Sequence, residues 1–349
     1  MKILYGVQGT GNGHLSRARA MAKALAQYPQ IEVDWLFSGR PREHYFDMEE
    51  FGHFKCCAGL TFFTQNGCID TLRTLTNIRP IQLWKDIREL DLSAYDLVIS
   101  DYEPVTAWAQ RRSDTPGLGI GHQYAFNHSI PIKGSNPITR SLMKNFAPMP
   151  KGLGLHWHHF DQTILPPIVD LEHCTSNQQV ENKVLVYLPF ENTHHLLDLL
   201  QHFPDYHFYV YAPNVQNQRF GNCHTRGFSR EGFKHDLAEA SWVLCNSGFE
   251  LISEALQLGK RILCKPVHGQ MEQHSNGAAL EQLGLARVED HITLSSLDSW
   301  LSQSPDPVKM DYPDVASAIA RWLSEGRTQS MQSFSESLWN QTNGPVYGA

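Results

Sequence analysis

Apolar and polar positions along the 349-residue chain alternate between two rhythms. KILYGV (2–7) is a nearly continuous apolar run, as a strand covered on both faces requires. The glycine-rich stretch QGTGNGH follows, and then Leu15, Ala18, Met21, Ala22 and Leu25 recur at helical spacing, which predicts a helix over 16–26. IEVDWLFSG (31–39) alternates like a strand. PIQLWKDIREL (80–90) reads as an amphipathic helix opened by Pro80. DLVISDYEP (96–104) is a buried strand ending in acids, and GLGIGHQ (117–123) is a further short strand.

The rhythm breaks over 126–151, where Pro, Gly, Ser and Asn mix with Lys133, Arg140, Lys144 and Lys151, and the double proline of 154–170 reads as a domain edge. It then restarts. Strands are predicted at 183–190, 206–213, 242–248 and 261–267, and helices at 194–203, 228–240, 250–259 and 271–284. Ser229 is a plausible cap and Gly259 a helix stop. Further helices are expected at 313–325 and 329–340. Strands separated by helices imply parallel sheets, so the chain reads as α/β, with two Rossmann-like, doubly wound halves of similar size. The expected division is 1–168 and 169–327, with a terminal helical segment at about 328–349 able to pack back on the first half.

Composition narrows the function classes. Hydrophobic residues make up 41% of the chain, enough for two cores. Lys plus Arg number 29 against 36 for Asp plus Glu, and the resulting net charge of -7 argues against a nucleic-acid binder. The seven cysteines are scattered without a CxxC, the pattern of a reduced, cytoplasmic protein. No signal-peptide architecture opens the sequence and no apolar window is long enough to span a bilayer.

The glycine loop resembles a phosphate cradle but fails both standard versions. Gly9, Gly11 and Gly13 are spaced by two, His14 stands where a dinucleotide fingerprint needs its third glycine, and the second strand ends without a ribose-binding acid. The only Gly-Lys pair, Gly259-Lys260, is followed by Arg261, so there is no P-loop. What remains is a loop of small residues, with Gly11 and Gly13 leaving room for an acceptor. It delivers His14 to a helix N-terminus at the carboxyl edge of a sheet, where α/β folds bind ligands. The helix dipole there disfavours a charged imidazole, as suits a general base. Asp101, ending its strand at the same edge, is a candidate orienting carboxylate, with Glu103 in competition. His156, His158 and His159 form a histidine-rich run with no matching Cys or acid cluster, so no metal site is assigned.

The second half carries NSGFELISEALQLGKRILCKPVHGQMEQHSNGAALEQLG (246–284). Ser247-Gly248 ends a strand and opens a helix, an anion site by geometry, and Glu254 follows at a depth suited to two ribose hydroxyls. Here the sequence resembles the inverting glycosyltransferases of the GT-B fold. Its pattern is similar to that of the UDP-N-acetylglucosamine transferase of peptidoglycan synthesis and its lipid-glycosylating relatives. It also looks like a little-characterised group of bacterial and archaeal GT-B proteins. GTGNGH resembles the family's glycine loop with its histidine. SGFELISE is similar to its S-G-x-x-x-x-x-E donor motif, so the resemblance places Ser247 and Gly248 near a diphosphate and Glu254 on a ribose. EQHSN implies that Glu272, Gln273 and Asn276 bind donor-sugar hydroxyls, and the segment around Phe228 matches where such enzymes hold the base. Glu250 stands where some relatives place an amide near phosphate, and a negative charge there repels a diphosphate unless it points away.

The resemblance thus implies a hexosyltransferase. The donor is a nucleotide-diphospho sugar, UDP-linked, bound by the second half, and the acceptor, a glycan, lipid or small molecule, is bound by the first. His14, oriented by Asp101, is the general base, and neither cofactor nor metal is called for. The segment 126–151 is read as a plain packed excursion first, with a lid over the acceptor and a contact with the inner face of a membrane or an anionic lipid acceptor as the other two readings. A sugar-nucleotide epimerase on the same fold and a non-catalytic sugar-nucleotide binder stand as alternatives.

Overall fold

The computed structural model describes residues 1–60, 64–65, 68–69, 79–176, 178–213 and 215–345. Two seven-stranded sheets organise them. In the first, β1 (Lys2–Gln8) lies between β2 (Glu32–Ser38) and β6 (Leu97–Asp101). Beyond β2 is β3 (Phe54–Cys57), and beyond β6 are β7 (Gly117–Gly121), β8 (Gly152–Leu155) and β9 (Ile164–Leu165). All six pairings are parallel. The short strands β4 (Thr64–Gln65) and β5 (Cys68–Ile69) form a separate antiparallel pair.

The second sheet is centred on β10 (Val180–Tyr187), flanked by β11 (His207–Tyr211) and β14 (Ala240–Asn246). It continues through β13 (Cys223–Arg226) and β12 (Gln218–Phe220) on one side, and through β15 (Arg261–Lys265) and β16 (Arg287–Val288) on the other. Only the β12–β13 pairing is antiparallel. Each sheet reverses its strand order once, between β1 and β6 and between β10 and β14. Such a switch opens a crevice outside the carboxyl ends of the strands.

The central strands are the apolar runs of the sequence. Every residue of β6 and of β14 is buried, as expected for strands covered on both faces. Helix α1 (Asn12–Ala26) starts four residues before the predicted Ser16, because Gly11 is its extended N-cap and Asn12 and Gly13 join the first turn. Helices α2 (Pro80–Glu89) and α3 (Pro104–Gln110) pack together on the first sheet. The segment 126–151 contributes α4 (Pro137–Phe146), started by an Asn136–Thr139 capping box, with Ile138 and Leu142 exposed.

The second sheet is flanked by α5 (Thr193–Leu200), α6 (Arg230–Glu239), α7 (Phe249–Gln257), α8 (Met271–Gln282) and α9 (Leu294–Gln303). Ser229 caps α6, accepting from the Gly232 amide at 3.2 Å, and α7 stops before Gly259, which takes φ +62°. After them, α10 (Val315–Ser324) returns to pack on α1. α11 (Met331–Trp339) lies against β9, where Ser335 Oγ and Trp339 Nε1 both donate to the Ile164 carbonyl at 2.6 Å. Residues 346–349 of the terminal segment lie outside the described residues. No helix among the described residues is long and apolar enough to cross a membrane.

Candidate active site

The crevices of the two sheets meet, and the groups that follow the strand ends interdigitate across them. On the first sheet, His14 is the third residue of α1 and Asp101 the last of β6. His14 Nδ1 lies 2.9 Å from Asp101 Oδ1, and the Asp101 side chain is fully buried while His14 retains 13% exposure. Tyr102 follows Asp101 with φ +52°, in the left-handed region. That turn separates the two competing acids. Glu103 heads back to cap α3, accepting from the amides of Val105 (2.8 Å) and Thr106 (2.6 Å) and from the hydroxyls of Ser38 (2.6 Å) and Thr106 (2.7 Å). Asp101, not Glu103, is the partner of His14.

Arg17 stands one turn beyond His14 on the same helix face. Its Nε donates to Asp101 Oδ2 (2.8 Å) and its Nη2 to Oδ1 (2.5 Å), while Nη2 also lies 2.9 Å from His14 Nδ1. Burial alone would raise the Asp101 carboxyl, but the Arg17 guanidinium and His14 outweigh it and hold the group below its ordinary range. Asp101 is therefore a carboxylate, fixed in orientation by two donors on one side and the imidazole on the other.

The glycines of the loop have different causes. A side chain on Gly9 would collide with the Tyr45 hydroxyl, and one on Gly13 with the Glu250 carboxylate of the other half. Only at Gly11 is the space open, with His14 Cδ2, 3.9 Å away, as its one neighbour within reach. The expectation that Gly13 makes room for an acceptor is thus corrected: its missing side chain admits Glu250.

From the second sheet, Gly248 is the N-cap of α7, no side chain caps this helix, and a side chain at Gly248 would meet nothing within 4 Å. The first amides of α7 thus have no side-chain cap, as an anion site requires. Glu250 in the first turn is held in an ion pair with Arg17 and also lines the adjoining cleft. Glu272 opens α8 and accepts from Gln123 Nε2 of the first half at 3.1 Å, close enough to Arg17 to act on its charge.

Beside this centre lies a cleft of ≈ 680 Å³, open mouth included, with Asn12, Ser16 and Phe46 on one wall. Tyr187, Phe228, Phe233, Lys234 and Glu254 belong to the other. Phe228 is 45% exposed, with its ring 6.2 Å from that of Tyr187. Glu254 Oε1 pairs with Lys234 Nζ at 2.6 Å and accepts from Ser16 Oγ at 3.2 Å.

The sequence profile described as glycosyl transferase family 1 matches residues 1–305. The chain belongs to that family. It is 22% identical over 331 residues to an uncharacterized glycosyltransferase of Methanosarcina acetivorans, covering 84% of each chain. In fold it is similar to the kitacinnamycin glycotransferase (TM-score 0.59, 13% identity, 98% and 99% of the two chains). It is likewise similar to the glycosyltransferase VinC in complex with dTDP (0.55, 13%, 97% and 96%). MurG of Acinetobacter baumannii is a further neighbour (0.53, 14%, 97% and 99%). The architecture is GT-B, two Rossmann-like halves facing across a cleft.

In this glycosyltransferase the sequence-derived residues fall into three groups. His14, Asp101 and Glu272 gather at the centre, and Phe228 and Glu254 share the adjoining cleft. Ser247, Gln273 and Asn276 are engaged within the protein. Ser247 is fully buried, with its carbonyl accepting from Asn276 Nδ2 at 3.0 Å. Gln273 accepts from the Val267 amide at 2.9 Å, and Asn276 Oδ1 meets His122 Nε2 across the halves at 2.7 Å. The three histidines of 156–159 diverge: buried His156 accepts from the Trp157 amide, while the rings of His158 and His159 stack at 4.4 Å.

Arg17, Gln123 and Lys234 were not singled out from sequence. For Arg17 the signal was present, since a residue three positions after His14 shares its face. For Lys234 and Gln123 the partner lies 20 and 149 positions away, beyond any periodicity.

Proposed function

We propose that this glycosyltransferase moves a hexosyl group from a nucleotide-diphospho sugar, UDP-linked, to an acceptor hydroxyl with inversion at the anomeric carbon. The observation that carries the reading is the His14–Asp101 pair, set at the switch point of one sheet and facing the uncapped N-terminus of α7 at the switch point of the other. With Nδ1–H donated to Asp101, the lone pair on Nε2 takes the proton of the acceptor hydroxyl. The acceptor oxygen then bonds to the anomeric carbon while the bond from that carbon to the diphosphate oxygen breaks, through an oxocarbenium-like transition state. The leaving group departs with the bonding electrons, and its charge falls to the amides of α7, a role that calls for no metal.

The base stacks in the cleft at Phe228 and Tyr187, and Glu254 meets the ribose. That VinC is a complex with dTDP supports a pyrimidine nucleoside diphosphate here. Glu272 takes the sugar-binding role in this reading, and Gln273 and Asn276 shape that subsite from behind. On the acceptor side, Ile138 and Leu142 of α4 are exposed beside Arg140 and Lys144, which suits an acceptor held at an anionic membrane surface.

The test is a thermal-shift screen with UDP-glucose, UDP-N-acetylglucosamine, dTDP-glucose and GDP-mannose, followed by calorimetry. A ligand at about 100 times its Kd adds about 2.7 kcal/mol to apparent stability. His14→Ala should keep donor affinity and lose nucleoside diphosphate release with an acceptor. Absence of binding by every probe sinks the reading, and full turnover in His14→Ala removes the base.

A further inference from the structure

We infer that Arg17 is a positioning residue through which the donor-binding half sets the His14–Asp101 pair. The inference rests on the function proposed above and adds a residue and a coupling to it. Arg17 is 1% exposed, and its hydrogen-bonding edge is divided between the two halves. Nε and Nη2 grip both oxygens of Asp101, and Nη1 is held by Glu250. Glu250 sits in the first turn of α7, two residues after the N-cap Gly248 of a helix that no side chain caps. A planar guanidinium cannot turn toward one anchor without changing its angle to the other. The position of α7 is thereby transmitted to the plane of the Asp101 carboxylate.

The point of delivery is the His14 ring. Nδ1 lies 2.9 Å from Asp101 Oδ1 and 2.9 Å from Arg17 Nη2. These neighbours demand opposite tautomers. Asp101 accepts, so facing it Nδ1 carries the hydrogen and Nε2 is basic. Arg17 only donates, so facing it Nδ1 offers its lone pair and the hydrogen moves to Nε2, which then cannot take a proton from an acceptor. Glu250 draws the guanidinium through Nη1 and leaves the Nη2 edge on Asp101, which selects the basic form. The collision that any side chain at Gly13 would make with Glu250 gives the same contact a second handle, outside both charged groups.

The experiment is ¹⁵N NMR of the histidine-labelled full chain at one fixed pH, with His14 assigned by difference from His14→Gln. In the wild type, the His14 shifts should report the Nδ1–H tautomer as the major form. In Glu250→Gln and in Gly13→Ala they should move to a mixture with Nε2–H. Turnover of the donor probe found in the screen should fall about 10- to 100-fold in both, with its KM within about twofold, as for loss of an outer-shell orienting partner. Unchanged His14 shifts and turnover in both variants overturn the coupling, and so does a change confined to donor KM, which would make Glu250 a donor ligand. If Glu250→Gln loses its dispersed spectrum, Gly13→Ala decides alone. Loss of turnover in His14→Ala beside wild-type behaviour of these two variants leaves the proposed function standing and removes only the role of Arg17.

Discussion

Replacing Glu254 with alanine tests the cleft at its most buried ion pair. The side chains of Glu254 and Lys234 are 6% and 5% exposed and meet at 2.6 Å. Removing the carboxylate leaves an ammonium that still donates to the Asp170 carbonyl and lies 3.9 Å from the Asp170 carboxylate, itself shared with Arg230. Breaking a buried pair from one side costs about 3–5 kcal/mol. The remaining Asp170 contacts place this case near the lower end, about 3 kcal/mol. At about 2–4 °C per kcal/mol for a domain of this size, Tm should fall by about 6–12 °C. The double variant Glu254→Ala/Lys234→Met removes both charges and should recover at least half of the loss, because an apolar pair of similar volume is near neutral. Thermal melts followed by circular dichroism at 222 nm measure both. A single variant melting within about 2 °C of wild type, or a double variant melting as low as the single, refutes the account. Nucleotide affinity of the single variant has to be read well below its melting range, where loss of charged hydrogen bonds to a ribose should weaken binding by about 1–3 kcal/mol.

Three further predictions concern neighbouring features. Glu103→Ala should destabilise by about 2 kcal/mol, through loss of the α3 cap, and leave nucleotide-sugar affinity unchanged, whereas Asp101→Asn should lower turnover at least about 100-fold; paired melts and turnover assays separate the two acids. Burial pushes the Lys260 ammonium down to about 8, with Nζ donating to the Ala238 carbonyl at 2.7 Å. Unfolded, the group titrates near 10.4, so the native state binds fewer protons between those values, and the penalty is full below the lower and gone above the higher. Lys260→Met should therefore melt above wild type at pH 7, by about 1–3 kcal/mol after screening, and the gap should close by about pH 10. Gly154→Ala would put a methyl 2.6 Å from the Ala125 backbone and should cost about 1–3 kcal/mol or more in denaturant titration.

Much of the architecture was legible along the chain. The runs that became β1, β6, β10 and β14 are apolar because both faces are covered, and the helices between them carry one apolar stripe each, so parallel sheets followed from periodicity. The helix stop at Gly259, the cap at Ser229 and the helix start at Pro80 are local chemistry and fell where expected. The start of α1 did not, because Gly13, a residue that disfavours a helix, stands in its first turn, where its missing side chain leaves room for Glu250.

By itself, then, the sequence determined which segments are strands and helices, that they form two doubly wound halves, and that His14, Asp101, Gly248 and Glu272 lie at strand ends where such sheets open. Those features depend on residues within a turn or a strand of one another. Only the tertiary structure decided that Asp101 rather than Glu103 meets His14, since a single left-handed residue at Tyr102 sends the two carboxylates opposite ways. It alone turned Glu250 from a charge near a phosphate into the partner of Arg17, and Glu254 into the partner of Lys234. Contacts that span 233 positions, as Arg17 and Glu250 do, leave no period in the chain, because they are set by how two finished sheets face each other.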